Sequence, residues 1–182
     1  MAANDVFLDG FTRVRDSVHR IVGDLSQEEL HKEPHPSIGW LAWRLTRVED
    51  SNISRLWGGK QELWIAEWGA KLGMQPAEGD FGRGAAHTRE QVKAFKATKE
   101  QILGYHDATF ELTKAYLDQV TQQELDRELQ EPQYTPLPTV AVRIMSVLEN
   151  GMNNTGQMGY LKAYHRIGGW FPGEVEDRQT FR

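Results

Sequence analysis

Near the start of the chain, apolar residues recur every three or four positions, which is the spacing of one face of a helix. The first such series consists of Phe7, Phe11, Val14, Val18, Ile21 and Leu25. It predicts a helix over about residues 5 to 24. A second series, at Ile38, Leu41, Leu45 and Val48, predicts a helix over residues 37 to 57.

Two further long helices are predicted after a long connection. Residues 61 to 71 can form a short helix, and the glycine-rich stretch from Gly73 to Gly84 predicts a loop. Apolar spacing then predicts a helix from Thr88 to about residue 120, and another that begins near Thr139, before an irregular tail from Gly168. Four long helical stripes without any segment of period two predict an all-α four-helix bundle with a long connection between helices 2 and 3.

The composition is that of a folded chain. Of the 182 residues, 39% are hydrophobic and 10% aromatic, which distinguishes the chain from disordered sequences. The length predicts one domain over residues 1–182. Because the chain contains no cysteine, disulfides, thiolate metal sites and cysteine nucleophiles are excluded.

The charge balance bears on partners and location. The net charge is −5, from 21 Lys plus Arg against 26 Asp plus Glu, and no basic block occurs. Since nucleic-acid binding needs concentrated positive charge, we expect no nucleic-acid partner. No run of about 18 apolar residues and no signal-like start is present. We therefore expect no membrane contact and a cytoplasmic location.

The predicted fourth helix contains an unusual polar segment, Glu149 to Gln157, with the sequence ENGMNNTGQ. The glycines and the Asn-Gly pair in and near this segment favour a break. If the helix continues, the amides of Asn150, Asn154 and Gln157 share its inward face. Buried amides need partners, so these three either bond to one another or line a polar cavity.

Two blocks carry a resemblance to a known family: residues 37–50, SIGWLAWRLTRVED, and residues 147–161, VLENGMNNTGQMGYL. They resemble the DinB/YfiT-like superfamily of four-helix proteins, whose better understood relatives include mycothiol-dependent maleylpyruvate isomerases and bacillithiol S-transferases. Members of this family usually hold one divalent metal with a histidine from the second helix and two histidines from the fourth. The resemblance implies the four-helix fold and favours a homodimer.

The metal-binding histidines of that family are replaced in this chain. Carried over residue by residue, they fall on Arg44, Asn150 and Asn154, whereas Trp40 and Gln157 belong to flanking features that are kept. A guanidinium stays protonated and has no lone pair for a metal, and an amide oxygen is a weak zinc or nickel ligand. We therefore expect a degenerate site with no metal and no other cofactor.

The remaining histidines offer no replacement set. His31 and His35 are four residues apart, but Pro34 and Pro36 prevent a helical pair, and we expect both histidines in an exposed loop. His106 lies on the inward stripe of the third long helix. It is either a hydrogen-bonded core histidine or a residue at the edge of a pocket.

Three functional interpretations follow. In the first, a metal-free pocket binds a small polar or anionic molecule through Trp40, Arg44, His106, Asn150, Asn154 and Gln157. Its plain alternative is that Arg44 only pairs with an acid such as Glu49 or Glu149. The second interpretation is a thiol-dependent transferase or isomerase, although no complete catalytic set is visible, so enzyme activity stays open. The third is a non-catalytic dimeric interaction module.

Overall fold

The protein is all-α in the computed structural model, which describes residues 3–74 and 87–166. Its helices are α1 (Ala3–Val22), α2 (Gln27–Leu30), α3 (Ile38–Leu56), α4 (Gly69–Lys71), α5 (Arg89–Ala94), α6 (Lys99–Leu117), α7 (Gln122–Leu125) and α8 (Val140–His165). A π-helical turn, Trp64–Trp68, precedes α4. Within the described ranges, the one β-type contact is an isolated bridge between Glu128 and Thr139. None of these helices combines the length and apolar character needed to cross a bilayer.

Three of the four long helices begin at a capping side chain, and the long helices bury the predicted apolar stripes. Ser37, Thr98 and Thr139 are the N-caps of α3, α6 and α8, and each accepts a hydrogen bond from a backbone N–H in the first turn. The predicted stripe of α1 is confirmed by its buried residues, which include Phe11, Val14, Val18 and Ile21. The predicted all-α fold is therefore confirmed.

Helices α1 and α8 run in the same direction. Near their starts, Gly10 of α1 faces the side chain of Leu148 on α8. Near their ends, Lys162 Nζ of α8 donates hydrogen bonds of 3.0 Å to the backbone oxygens of Arg20 and Ile21. The first and last long helices are thus side by side and parallel.

Helices α6 and α3 run in the opposite direction to α1. Asn4 at the start of α1 donates to the backbone oxygen of Leu117 at the end of α6, which makes α1 and α6 antiparallel. Helix α3 is parallel to α6, because Thr46 contacts His106 and Glu49 contacts Thr113. Both α1 and α3 pack against α6 and α8, so α3 and α8 are antiparallel neighbours.

Two parts of the predicted helix pattern need correction. The helix predicted from Thr88 to residue 120 is two helices, because Phe95 is extended (φ −64°, ψ 123°) and Thr98 forms a capping box with Gln101 that begins α6. The short helix predicted over residues 61–71 is a π-helical turn followed by α4. Most of the predicted loop, from residue 75 to 84, and the predicted irregular tail from residue 168 lie outside the described residues.

Helix α8 continues without a break through Gly151, Gly156 and Gly159. A Cβ atom on Gly151 would lie 3.2 Å from Val14 Cγ1, so this glycine allows α1 to approach α8 closely. Packing against α1 therefore outweighs the local turn preference of Asn150-Gly151, and the amide-rich segment is helical.

A buried carboxylate holds the connection after α3 against the bundle. Asp50 accepts hydrogen bonds from the backbone N–H groups of Leu63 (3.0 Å) and Trp64 (2.8 Å) and from the hydroxyl of Tyr105 (2.7 Å). Arg47 donates to Asp50 and, at 2.8 Å, to Glu62. Because every one of these groups has a partner, the charges stay buried as a structural network between α3, α6 and the π-helical turn.

Candidate functional site

Helix α3 contributes Trp40 and Arg44 to the candidate site. The indole nitrogen of Trp40 donates a 3.0 Å hydrogen bond to Nδ1 of His87, and the guanidinium carbon of Arg44 lies 5.9 Å from the centre of the Trp40 ring. Arg44 is half-buried. In the part of the chain that the structure describes, no carboxylate pairs with Arg44: Glu49 bonds to Thr113 and Glu149 to Asn153. The contact that the structure describes for the guanidinium is therefore the one with the Trp40 ring.

Helix α8 contributes the amides. Asn154 is 3% exposed, and its Nδ2 donates to the backbone oxygen of Asn150 at 2.7 Å and to Asn150 Oδ1 at 3.2 Å. Asn150 is half-buried, whereas Gln157 is exposed. The expectation that all three amides point inward therefore holds for Asn154 but is wrong for Gln157, which the helical turn places at the solvent edge of this face.

The antiparallel packing of α3 and α8 places these residues along one groove. Leu41 and Leu161 line the same cavity, so they mark where the two helices face each other. By helical register, Arg44 lies about one turn after Leu41 on α3, and Asn154 and Asn150 lie about two and three turns before Leu161 on α8. Because the two helices are antiparallel neighbours, this register orders the three residues in the same direction from the cavity. We call this region the α3/α8 groove, defined by Leu41 and Arg44 on α3 and by Asn150, Asn154, Gln157 and Leu161 on α8.

A cavity of about 520 Å³ lies at one end of the groove. It is lined by Pro34, His35, Pro36, Leu41, Asn153, Gly156, Gln157, Tyr160 and Leu161. Of the predicted site residues, Gln157 is in this lining, whereas Arg44, Asn150 and Asn154 are not. The proline loop before α3 and the exposed ring of Tyr160 were not predicted to take part.

His106 lies in the interface between α3 and α6 and does not line this cavity. It is 1% exposed, and burial lowers its pKa to about 4. Thr46 donates its hydroxyl hydrogen to the backbone oxygen of Ala42, so it accepts a hydrogen bond from Nδ1 of His106 at 3.0 Å. This geometry matches the expectation of a hydrogen-bonded core histidine.

Near His106, the same interface holds an acid that the sequence did not single out as buried. Glu49 is fully enclosed, and burial, together with the neighbouring charge of Asp50, raises its pKa to about 7, against the lowering effect of the Thr113 hydrogen bond. In the sequence, such an interface is indicated by polar residues that recur at helical spacing on both helices. They are Thr46 and Glu49 on α3 and His106, Thr109 and Thr113 on α6.

The histidine pair before α3 differs from its prediction. His31 is buried rather than exposed, because its Nε2 donates a 2.8 Å hydrogen bond to the backbone oxygen of Ala97. His35 is partly buried and lines the cavity. Its Nδ1 atom is buried and has no hydrogen-bond partner among the described residues.

The residues of the groove do not fit a divalent metal. Arg44 has no acceptor atom, and the Asn154 amide turns its nitrogen toward Asn150. Over residues 3–74 and 87–166, no group of three His, Cys, Asp or Glu side chains is arranged to hold a metal ion. The donor set is suited to hydrogen bonding with an anionic or polar group rather than to coordination.

Comparison with known proteins identifies the family. The family model of the DinB superfamily matches residues 11–158. The crystal structure of a conserved protein from Enterococcus faecalis is similar, with 26% sequence identity and a TM-score of 0.79 over 90% of this chain and 96% of the other. No curated protein matches the sequence. The family match covers most of the chain, including the block at residues 37–50 and residues 147–158 of the second block, so the protein belongs to the DinB superfamily.

Proposed function

We propose that this protein binds a small polar or anionic molecule in the α3/α8 groove without a transition metal. The observation that carries the proposal is Arg44, a half-buried arginine with no carboxylate partner among the described residues. Leaving a partly desolvated charge without a counter-ion is costly, and an anionic ligand removes that cost.

The chemistry of the neighbouring groups supports an oxyanion as the ligand. A guanidinium presents parallel N–H donors that match the two oxygens of a carboxylate or phosphate. On α8, the Oδ1 of Asn150 accepts from Asn154, which leaves the Nδ2 of Asn150 as a donor for a ligand. Charge from Arg44 and orientation from the Asn150 amide would together select a small oxyanion.

A ligand screen by thermal shift tests the proposal. Small carboxylic acids and inorganic phosphate should raise the melting temperature of the full chain, because a ligand that binds only the folded state stabilises it. Stabilisation by low-molecular-weight thiols alone would instead favour a thiol-dependent transferase. A melting temperature that responds only to protein concentration would favour the dimeric interaction module. Either of these results would contradict the proposal.

Substitution of Arg44 locates the binding site. Arg44→Gln should weaken binding of the best acid by about tenfold or more in calorimetric titration, since a charge-assisted hydrogen bond contributes about 1.5–3 kcal/mol. The matched control is Arg55→Gln, which removes the same charge from an exposed position on the same helix. Equal affinities for the two variants would place the ligand elsewhere and overturn the proposal.

A further inference from the structure

We propose that the ligand of the α3/α8 groove is an aromatic carboxylate, with its ring in the cavity beside Tyr160 and its acid group at Arg44. The inference rests on the proposed function and names the class of ligand. It follows from the division of the groove into a largely apolar end, whose described lining contains no Lys, Arg, Asp or Glu, and an end that carries Arg44.

The walls of the cavity suit a flat apolar group. Leu41 and Leu161 contribute aliphatic surface, Pro34 and Pro36 contribute rigid rings, and Tyr160 contributes an aromatic face. Aromatic rings pack favourably on such surfaces, in stacked or edge-to-face arrangements. The volume of about 520 Å³ falls within the range of sites for small molecules.

The polar groups of this cavity are uncharged amides, together with His35. Among the described residues of its lining, no Lys, Arg, Asp or Glu occurs, and the amides are those of Gln157 and of Asn153, whose Nδ2 donates to Glu149. Apart from His35, whose Nε2 lies 3.9 Å from the carboxylate of Glu33, the described lining offers an anionic group no basic side chain. On α3, the first cationic residue after Leu41 is Arg44, which the helical register places on the same side of that helix.

The spacing along α3 sets the length of the ligand. Arg44 is three residues from Leu41, which corresponds to an axial rise of about 4.5 Å. A carboxylate attached to a ring directly, or through one or two carbons, spans that distance. Benzoate, phenylacetate and 3-phenylpropanoate represent this series.

Calorimetric titration of the full chain with three kinds of probe tests the inference. The aryl carboxylates carry both features, succinate carries the charge without the ring, and benzyl alcohol carries the ring without the charge. At least one aryl carboxylate should bind about tenfold or more tightly than succinate, and benzyl alcohol should bind more weakly than either, because both ends of the groove contribute to binding.

Two exposed tyrosines on α8 provide a matched pair of variants. Tyr160 and Tyr164 are 69% and 70% exposed, and of the two only Tyr160 lines the cavity. Tyr160→Ser should weaken aryl carboxylate binding about fivefold or more and leave succinate binding unchanged. Tyr164→Ser should leave both unchanged. Since both side chains are largely in solvent, neither substitution threatens the fold.

The outcomes separate this inference from the proposed function. If succinate binds as tightly as the aryl acids and depends on Arg44, the aromatic ligand is ruled out while the proposed function stands. If aryl acids bind but Tyr160→Ser has no effect, the ring is not in this cavity and the inference fails. If no acid binds, both fail.

Discussion

The hydroxyl oxygen of Thr113 on α6 lies 2.6 Å from Oε1 of Glu49 on α3 and 3.0 Å from the backbone oxygen of Thr109. A hydroxyl has one hydrogen and cannot donate to both oxygens. When Glu49 is protonated, its carboxyl donates to Thr113 and Thr113 donates to Thr109, so both contacts become hydrogen bonds. This pattern agrees with the raised pKa of Glu49, about 7, and indicates a neutral acid inside the bundle below neutral pH.

Glu49→Gln is expected to stabilise the protein at alkaline pH. The folded pKa of Glu49, about 7, exceeds the ordinary value of 4.5, so the stability that protonated Glu49 provides is complete below pH 4.5 and is lost as pH rises to 7. Above pH 7 the variant should exceed the wild type by about 3 kcal/mol, because glutamine is neutral and still donates to Thr113. Urea denaturation at several pH values measures the difference.

The exposed α6 residue Glu111 provides the control for this experiment. Glu111→Gln should leave the pH dependence of stability unchanged. A constant difference between Glu49→Gln and the wild type from pH 4 to pH 9 would contradict a proton on Glu49.

His106 should produce the opposite pH dependence. Burial lowers its folded pKa from 6.5 to about 4, so the stability that neutral His106 provides is present above pH 6.5 and is lost as pH falls to 4. Between pH 4.5 and 6.5 the two groups oppose each other in the wild type. Glu49→Gln should therefore lose stability as pH falls through this window, by up to about 1.4 kcal/mol per pH unit.

The double variant Glu49→Gln/His106→Asn separates this contribution from the rest of the protein. Asparagine is neutral and retains an N–H donor for Thr46. The free energy of unfolding of the double variant should therefore change less steeply with pH, between pH 6.5 and 4, than that of Glu49→Gln. Denaturation curves of the two variants measure this pH dependence. If the free energy of unfolding changed equally steeply with pH in both variants, the pKa of His106 would not be lowered by folding.

Restoring the family's histidines should create a metal site. Arg44→His/Asn150→His/Asn154→His replaces a cation and two amides with three neutral ligands, and we expect it to bind about one equivalent of zinc or nickel by elemental analysis after dialysis. The variant with only the two α8 histidines keeps Arg44 and should bind at least about tenfold more weakly. Wild-type protein that retains an equivalent of metal would contradict the expectation of a degenerate site.

Gly156→Ala should stabilise α8. A Cβ atom at Gly156 would have no neighbour within 4 Å, so the substitution gains helix propensity without a steric cost. We expect the free energy of unfolding to rise by about 0.5–1 kcal/mol in thermal or urea denaturation. Gly151→Ala is the comparison, since its Cβ would contact Val14 at 3.2 Å and should gain less. A loss of stability in Gly156→Ala would show that this backbone needs glycine.

Local pattern was sufficient to predict the all-α fold and the burial of Asn154 on α8. The spacing of Phe11, Val14 and Val18 predicts that they are buried, because residues three to four positions apart lie on the same face of a helix. Asn154 is buried as its register predicts. The break at Phe95 was missed, although Thr98 and Gln101 carry the capping signal, because the apolar spacing continues across it.

Partners from distant segments could not be predicted in the same way. Arg47, Glu49 and Asp50 are charged residues in a helix and would ordinarily face solvent. They are buried because Tyr105 and Thr113, more than 50 positions later in the chain, provide their hydrogen bonds. The cavity likewise forms where the proline loop contacts α8. The spacing of residues within either segment does not predict this contact.

The order of the helices affects how the chain can fold during synthesis. Helix α1 packs mainly against α6 and α8 and only slightly against α3, so a ribosome-bound fragment that ends before α6 exposes the apolar stripe of α1. Most tertiary contacts of α1 therefore join residues that are far apart in the sequence, and they form only after α6 and α8 have been synthesised. The N-terminal half, expressed alone, should behave as an aggregation-prone fragment rather than as an independent folding unit.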